Sequence, residues 1–136
     1  MRVRPFEQWP WLVHGFSTRA AGDQRDTELR EDFVRRVGGE DMPLATLRQV
    51  HSAIVRRVDG CLLVGFAGDS LVTAKRGVLV GVRTADCLPV LLVDPRRRAV
   101  GAVHAGWRGM SKRIVEKAAG EMRHHWGSSG QPAGCR

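Results

Sequence analysis

Leu88-Pro89-Val90-Leu91-Leu92-Val93-Asp94-Pro95-Arg96-Arg97-Arg98-Ala99-Val100-Gly101-Ala102-Val103 reads as two apolar runs joined by a short polar link. Unbroken apolar character over so few residues is the pattern of strands covered on both faces. The link from Asp94 to Arg98 has hairpin length, so the two strands are predicted to be antiparallel neighbours. Working outward, Val78-Leu79-Val80-Gly81-Val82 is a further strand, and residues 44–50 and 53–58 are two more, with His51-Ser52 between them. A short strand is predicted over 12–18, whereas residues 60–68 alternate poorly and have no readable period. Thr27 is expected to cap a helix reaching Val37, with Leu29, Phe33, Val34 and Val37 on one face and Gly38-Gly39 as its stop. Ser111 is expected to cap a second helix, whose Ile114, Val115, Ala118, Ala119, Met122 and Trp126 share a face.

The chain has 136 residues, 43% of them hydrophobic, which suits one domain or a piece of one. No apolar run approaches the ~18 residues of a membrane span, and the first eleven residues lack the apolar core of a signal peptide. A cytoplasmic protein without a membrane partner is therefore expected. Cys61, Cys87 and Cys135 form an odd set without framework spacing, which favours thiols or ligands over disulfides. The net charge of +8 invites a nucleic-acid partner, but all except three of the 22 basic residues are arginines scattered along the chain. Tyrosine is absent and no aromatic residues interleave with the arginines, so no nucleic-acid partner is expected. Arg96-Arg97-Arg98 reads as a solvated hairpin tip. Residues 127–136, GSSGQPAGCR, read as a flexible or aberrant tail following a body of residues 1–126.

Three residues stand out against this apolar background. His51 lies at a strand end, Cys87 lies between two apolar strands, and His104 directly follows the run 99–103. Strand ends are where site residues commonly collect. Two imidazoles and a thiolate match a borderline-soft ion such as zinc, and three protein ligands leave a fourth position open, as in catalytic zinc sites. The long gaps between them exclude a finger or ribbon built on close ligand pairs. From the residues alone, a core cysteine and two hydrogen-bonded histidines explain the same pattern.

The segments His14-Gly15-Phe16-Ser17-Thr18-Arg19, Gln49-Val50-His51-Ser52, Asp69-Ser70-Leu71-Val72-Thr73, Thr84-Ala85-Asp86-Cys87-Leu88-Pro89-Val90 and His104-Ala105-Gly106-Trp107-Arg108-Gly109 occur in an order that resembles the multicopper polyphenol oxidoreductase, or laccase-domain, family. Members of that family are also described as purine nucleoside phosphorylases with adenosine deaminase activity. The resemblance covers residues 12–126 and implies an α+β fold of mixed sheets flanked by helices, compared with cysteine hydrolases. It implies a metal held by His51, Cys87 and His104, zinc in preference to copper, with purine nucleosides and phosphate as substrates.

The same resemblance suggests Arg19 as a catalytic or phosphate-holding residue, with a surface salt bridge as the plain alternative. Asp86 is a candidate catalytic residue that positions Cys87, orients substrate or moves a proton, or that merely caps a turn. Arg108 is a candidate phosphate contact or the partner of a local carboxylate, and Trp107 is expected to pack rather than stack. Cys61 and His124-His125 match no family role and are read as core or surface residues. Family members are typically much longer, so the chain resembles an N-terminal portion, truncated at its C-terminus. Two other enzyme classes fit part of the pattern: a metal-free cysteine hydrolase using Cys87 and His104, and a copper-dependent polyphenol oxidase.

Overall fold

The structure, a computed structural model, describes residues 1–60 and 65–127. Cys61, Cys135 and all but the first residue of the expected tail lie outside these. The chain divides into two compact units, residues 1–42 and residues 43–136.

The first unit holds helix α1 (Thr27–Arg36) and two short 3-10 turns, Arg4–Phe6 and Arg19–Ala21. Asp26, not Thr27, caps α1: its carboxylate accepts the Leu29 amide at 3.1 Å, and Thr27 is already the first helical residue. Gly38 follows the helix at φ 88°, the left-handed conformation that ends helices at least cost in glycine. The strand expected over 12–18 does not form. The Leu12 amide turns back to the Trp9 carbonyl at 2.9 Å, and Phe16 exchanges hydrogen bonds with Met1 at 2.7 and 2.8 Å. One such exchange satisfies the backbone locally without a ladder. His14 accepts the Val3 amide at 3.0 Å and stacks edge-on against the buried ring of Phe6.

The second unit contains strands β1 (Leu44–Ala45), β2 (Val55–Arg57), β3 (Ser70–Thr73), β4 (Leu79–Val80), β5 (Leu88–Asp94) and β6 (Ala99–Ala105). Strands β1 and β4 form a parallel pair, and the other four form a sheet in the order β2-β3-β6-β5. In that sheet β2 and β3 are parallel while β3, β6 and β5 are antiparallel, so the fold is α+β with mixed pairing. The predicted β5–β6 hairpin is present in full register, from Leu88 opposite Ala105 to Asp94 opposite Ala99. Asp94 shapes its turn by accepting the Arg96 and Arg97 amides at 2.9 and 3.1 Å, and residues 96–98 are exposed there. Strands β1, β2 and β4 are much shorter than their apolar runs predicted.

Coverage on both faces, expected for the hairpin strands, holds for central β6 but not for β5, an edge strand that is mostly half-buried. Successive residues of β3 show how the sheet is covered. Val72 joins Val103, Ala105, Ile114, Ala118 and Met122 on one face, whereas Leu71 joins Ala45, Leu47 and Val58 on the other.

Helix α2 (Trp107–Ser111) starts as soon as β6 ends, and helix α3 (Ile114–Trp126) follows. Ser111 therefore ends one helix rather than capping the next. Arg113, in the left-handed conformation at φ 60°, occupies the cap position before α3. The apolar face of α3 packs across β2, β3 and β6, burying Ile114, Ala118 and Met122. No helix among the described residues is long and apolar enough to cross a membrane.

Candidate metal centre

The register of β3, β6 and β5 brings distant residues to one spot. Ser70 pairs with Val103, so one step further Asp69 stands opposite His104, and the His104 amide donates to the Asp69 carbonyl at 2.8 Å. On the other side His104 pairs with Pro89, and Cys87, two residues earlier, falls on the same face as His104. Continuing that register places Cys87 opposite Gly106. A Cβ on Gly106 would lie 3.1 Å from Cys87 Sγ and 3.3 Å from His51 Cδ2, so the absence of a side chain is what lets these groups converge.

His51 arrives from the segment between β1 and β2. Its backbone is left-handed, φ 56°, a conformation that costs a non-glycine residue about 1–3 kcal/mol and needs compensation. The compensation is the Asp69 carboxylate. Its Oδ1 accepts the His51 amide at 3.0 Å, and its Oδ2 accepts the Val50 amide at 3.3 Å, the Ser52 amide at 2.7 Å and the Ser52 hydroxyl at 2.6 Å. The His51 and His104 rings consequently meet edge to face, with centroids 4.8 Å apart.

One ligand atom from each of His51, Cys87 and His104 lies within 4.8 Å of the others, and Cys87 is a free thiol. The donor set fits an ion such as zinc, whose bonds to nitrogen and sulfur run ~2.0–2.3 Å. The ring geometry fits as well. His104 Nδ1 is 2.8 Å from Asp69 Oδ1, which leaves Nε2 as the atom it could offer an ion, a carboxylate–histidine arrangement found at metal centres. Asp69 is wholly buried and His104 is 4% exposed, while His51 is exposed, so the cluster is closed below and open to solvent on one side. Burial pushes the Asp69 carboxyl up, but the hydrogen bonds from Ser52, His104 and Val50 together outweigh it and hold the group below its ordinary value.

A second clamp ties the loops together. The Gln49 side chain pairs with the backbone of Arg83, donating to its carbonyl at 2.6 Å and accepting its amide at 2.8 Å. That bond joins the segment carrying His51 to the connection leading into Cys87.

The other residues singled out in the sequence are placed differently. Asp86 is exposed in the bend before Cys87. Arg19 opens a 3-10 turn of the first unit and is exposed. Trp107 is not packed, as expected, but 74% exposed. It lies two residues before Gly109, the buried position of α2, and so faces the opposite way. The Arg108 guanidinium lies 5.3 Å from the Trp107 ring centroid. His124 and His125 are surface residues, and His125 pairs with Glu121 one turn back on α3 at 3.1 Å. Asp69 was not singled out. Its sequence signals are its place at the head of the segment Asp69-Ser70-Leu71-Val72-Thr73, which shares in the family resemblance, and a carboxylate standing before the apolar Leu71-Val72, a weak sign of a buried charge with a task.

The family model described as multi-copper polyphenol oxidoreductase laccase matches residues 14–133. The chain belongs to this family. A purine nucleoside phosphorylase of Deinococcus radiodurans is 37% identical over 129 residues, covering 82% of this chain and 50% of that protein. An adenosine deaminase from an unknown prokaryotic organism is 48% identical over 54 residues, covering 40% of this chain and 21% of its own. The crystal structure of a Neisseria meningitidis protein superposes with a TM-score of 0.61 at 35% identity, covering 78% of this chain and 43% of that one. This laccase-family chain thus spans about half the length of the curated relatives it matches.

Proposed function

We propose that the chain carries the metal centre of a purine nucleoside enzyme, acting by phosphorolysis of adenosine-, inosine- or guanosine-type nucleosides and by deamination of adenosine. The observation that carries this reading is the convergence of His51, Cys87 and His104 within 4.8 Å, with His104 held by Asp69. The names of the relatives supply the substrate class. Zinc is the ion we assign, because two imidazoles and one thiolate suit it and leave a position open. When bound there, zinc would lower the pKa of a coordinated water and polarise the reacting group of the substrate.

The chain's own residues then have distinct tasks. Buried Asp69 keeps the His104 ring fixed, and Gly106 keeps the space between Cys87 and His51 clear. Asp86, exposed one residue before Cys87, is the candidate for moving a proton to or from substrate. Arg108, exposed at the start of α2, is the candidate for phosphate, and Arg19 is a second candidate on motif resemblance. We place the enzyme in the cytoplasm, where a thiolate ligand stays reduced.

Metal quantification on the purified protein, paired with turnover of inosine or adenosine in the presence of phosphate, tests the reading. Stoichiometric zinc and a turnover that disappears in His51→Ala are expected. Unchanged turnover in that variant would defeat the assignment.

One observation favours a second reading. Cys87, His104 and Asp69 also stand in the sequence nucleophile, base and orienting carboxylate that cysteine hydrolases use. That arrangement leaves His51 without a task. Rapid alkylation of Cys87 in a protein that takes up no metal would support it.

A further inference from the structure

Among the described residues two carboxylates are buried, Asp69 and Asp94. Asp94 shapes the hairpin turn, whose Arg96 and Arg97 amides it accepts. Asp69 is different, because its donors come from both of the segments that carry the clustered histidines. Five donors reach its two oxygens: the Val50, His51 and Ser52 amides, the Ser52 hydroxyl and His104 Nδ1. A carboxylate surrounded by backbone N–H groups acts only as an acceptor, so the proton shared with His104 sits on the imidazole Nδ1. Its Nε2 is then the ring's only free lone pair, the one left to serve the cluster that His104 forms with Cys87 and His51.

A carboxylate that merely anchored the 50–52 segment would need the amides alone. Here the same oxygen, Oδ1, holds the His51 amide at 3.0 Å and the His104 ring at 2.8 Å, so the placement of one histidine is coupled to that of the other. The left-handed backbone at His51 is a further sign, since the Asp69 contacts hold a conformation that a β-carbon disfavours.

We propose that Asp69 is the positioning residue of the metal centre: one buried carboxylate sets the tautomer of His104 and the backbone of His51, and so orients two of the three ligands before any ion arrives. This inference rests on the metal reading given above. It predicts that affinity is built into the metal-free protein, and that losing Asp69 costs the site its orientation although His51, Cys87 and His104 themselves are unchanged.

The test compares wild type with Asp69→Asn, a near-isosteric change that turns one acceptor oxygen into a donor facing the amides. Zinc affinity is read by chelator competition, the ligand field by the visible spectrum of the cobalt-substituted protein, and the His104 tautomer by long-range 1H–15N correlation. The expected result is a ~10–100-fold loss of zinc affinity in the variant, the usual cost of removing such a partner. A changed cobalt spectrum should accompany it, and the metal-free wild type should show His104 protonated at Nδ1. A folded variant with wild-type zinc affinity and cobalt spectrum would overturn the proposal. If the variant does not fold, the wild-type tautomer decides: protonation at Nε2 overturns the proposal and protonation at Nδ1 supports it. A wild type that binds neither zinc nor cobalt would instead sink the metal reading, so the two failures are distinguishable.

Discussion

Gly106 and Cys87 face each other across the end of the β5–β6 hairpin, so close that a Cβ on the glycine would stand 3.1 Å from the thiol sulfur. The same Cβ would lie 3.3 Å from His51 Cδ2. Gly106 has an ordinary extended backbone at φ −75°, so the requirement here is for space rather than for conformational freedom. Gly106→Ala is therefore expected to fold and yet push Cys87 and His51 apart. A fall in zinc affinity of about tenfold or more should appear in chelator competition, beside a far-UV circular dichroism spectrum like that of the wild type. Wild-type affinity in this variant would show that the cluster has room to spare.

Gln49 extends the contact between the segments that follow the paired strands β1 and β4, through its two-way contact with the Arg83 backbone. Removing it in Gln49→Ala deletes two hydrogen bonds, each with a net value of about 0.5–1.5 kcal/mol. We expect a loss of about 1–2 kcal/mol in urea unfolding. Zinc affinity should weaken less than in Gly106→Ala, because the ligand side chains are not displaced directly.

Stability should fall in acid through Asp69. Its carboxyl is held below the ordinary value in the folded state, so the unfolded chain binds the proton first. The contribution is fully present above the unfolded carboxylate range, near pH 4, and is lost as pH drops through the lowered folded value. Urea midpoints measured from neutral pH down into this range should fall more steeply for wild type than for Asp69→Asn. Equal slopes would show that the carboxylate's contacts do not distinguish its charged form.

Ile114, fully buried where α3 meets β6 and β3, tests the packing beneath the site. Ile114→Ala should cost about 2–5 kcal/mol and lower the thermal midpoint, because the cavity it leaves is walled by strands that cannot collapse. A cost below ~1 kcal/mol would mean that α3 adjusts freely.

The elements legible in the sequence were those whose signals are local. The β5–β6 hairpin follows from two apolar runs flanking an Asp94 turn, and α3 follows from apolar residues repeating at helical spacing. The α1 cap was misread by one residue because Asp26 and Thr27 are both capping types, and only the Leu29 contact chooses between them. The strand expected over 12–18 failed because an apolar segment becomes a strand only when it finds a partner edge. The exposure of Trp107 was hidden for a related reason: an aromatic residue after a buried strand looks like core until the direction of α2 is known.

His51, Cys87 and His104 could be singled out in the sequence by residue type and by position at strand ends, without any sign that they meet. Their meeting is a matter of register. Pairing Pro89 with His104 and Ser70 with Val103 sets Cys87 and Asp69 on the His104 face, and a slip of one residue in either pairing would turn them to the other. Asp69 shows the same division. The sequence by itself shows only a carboxylate at the head of the segment Asp69-Ser70-Leu71-Val72-Thr73; the tertiary structure makes that segment a buried strand and decides that the Asp69 oxygens meet the 50–52 amides and the His104 ring. Local composition determines which segments pair or coil. Which side chains then share a site depends on contacts between residues far apart in the chain, and those exist only once the sheet has formed.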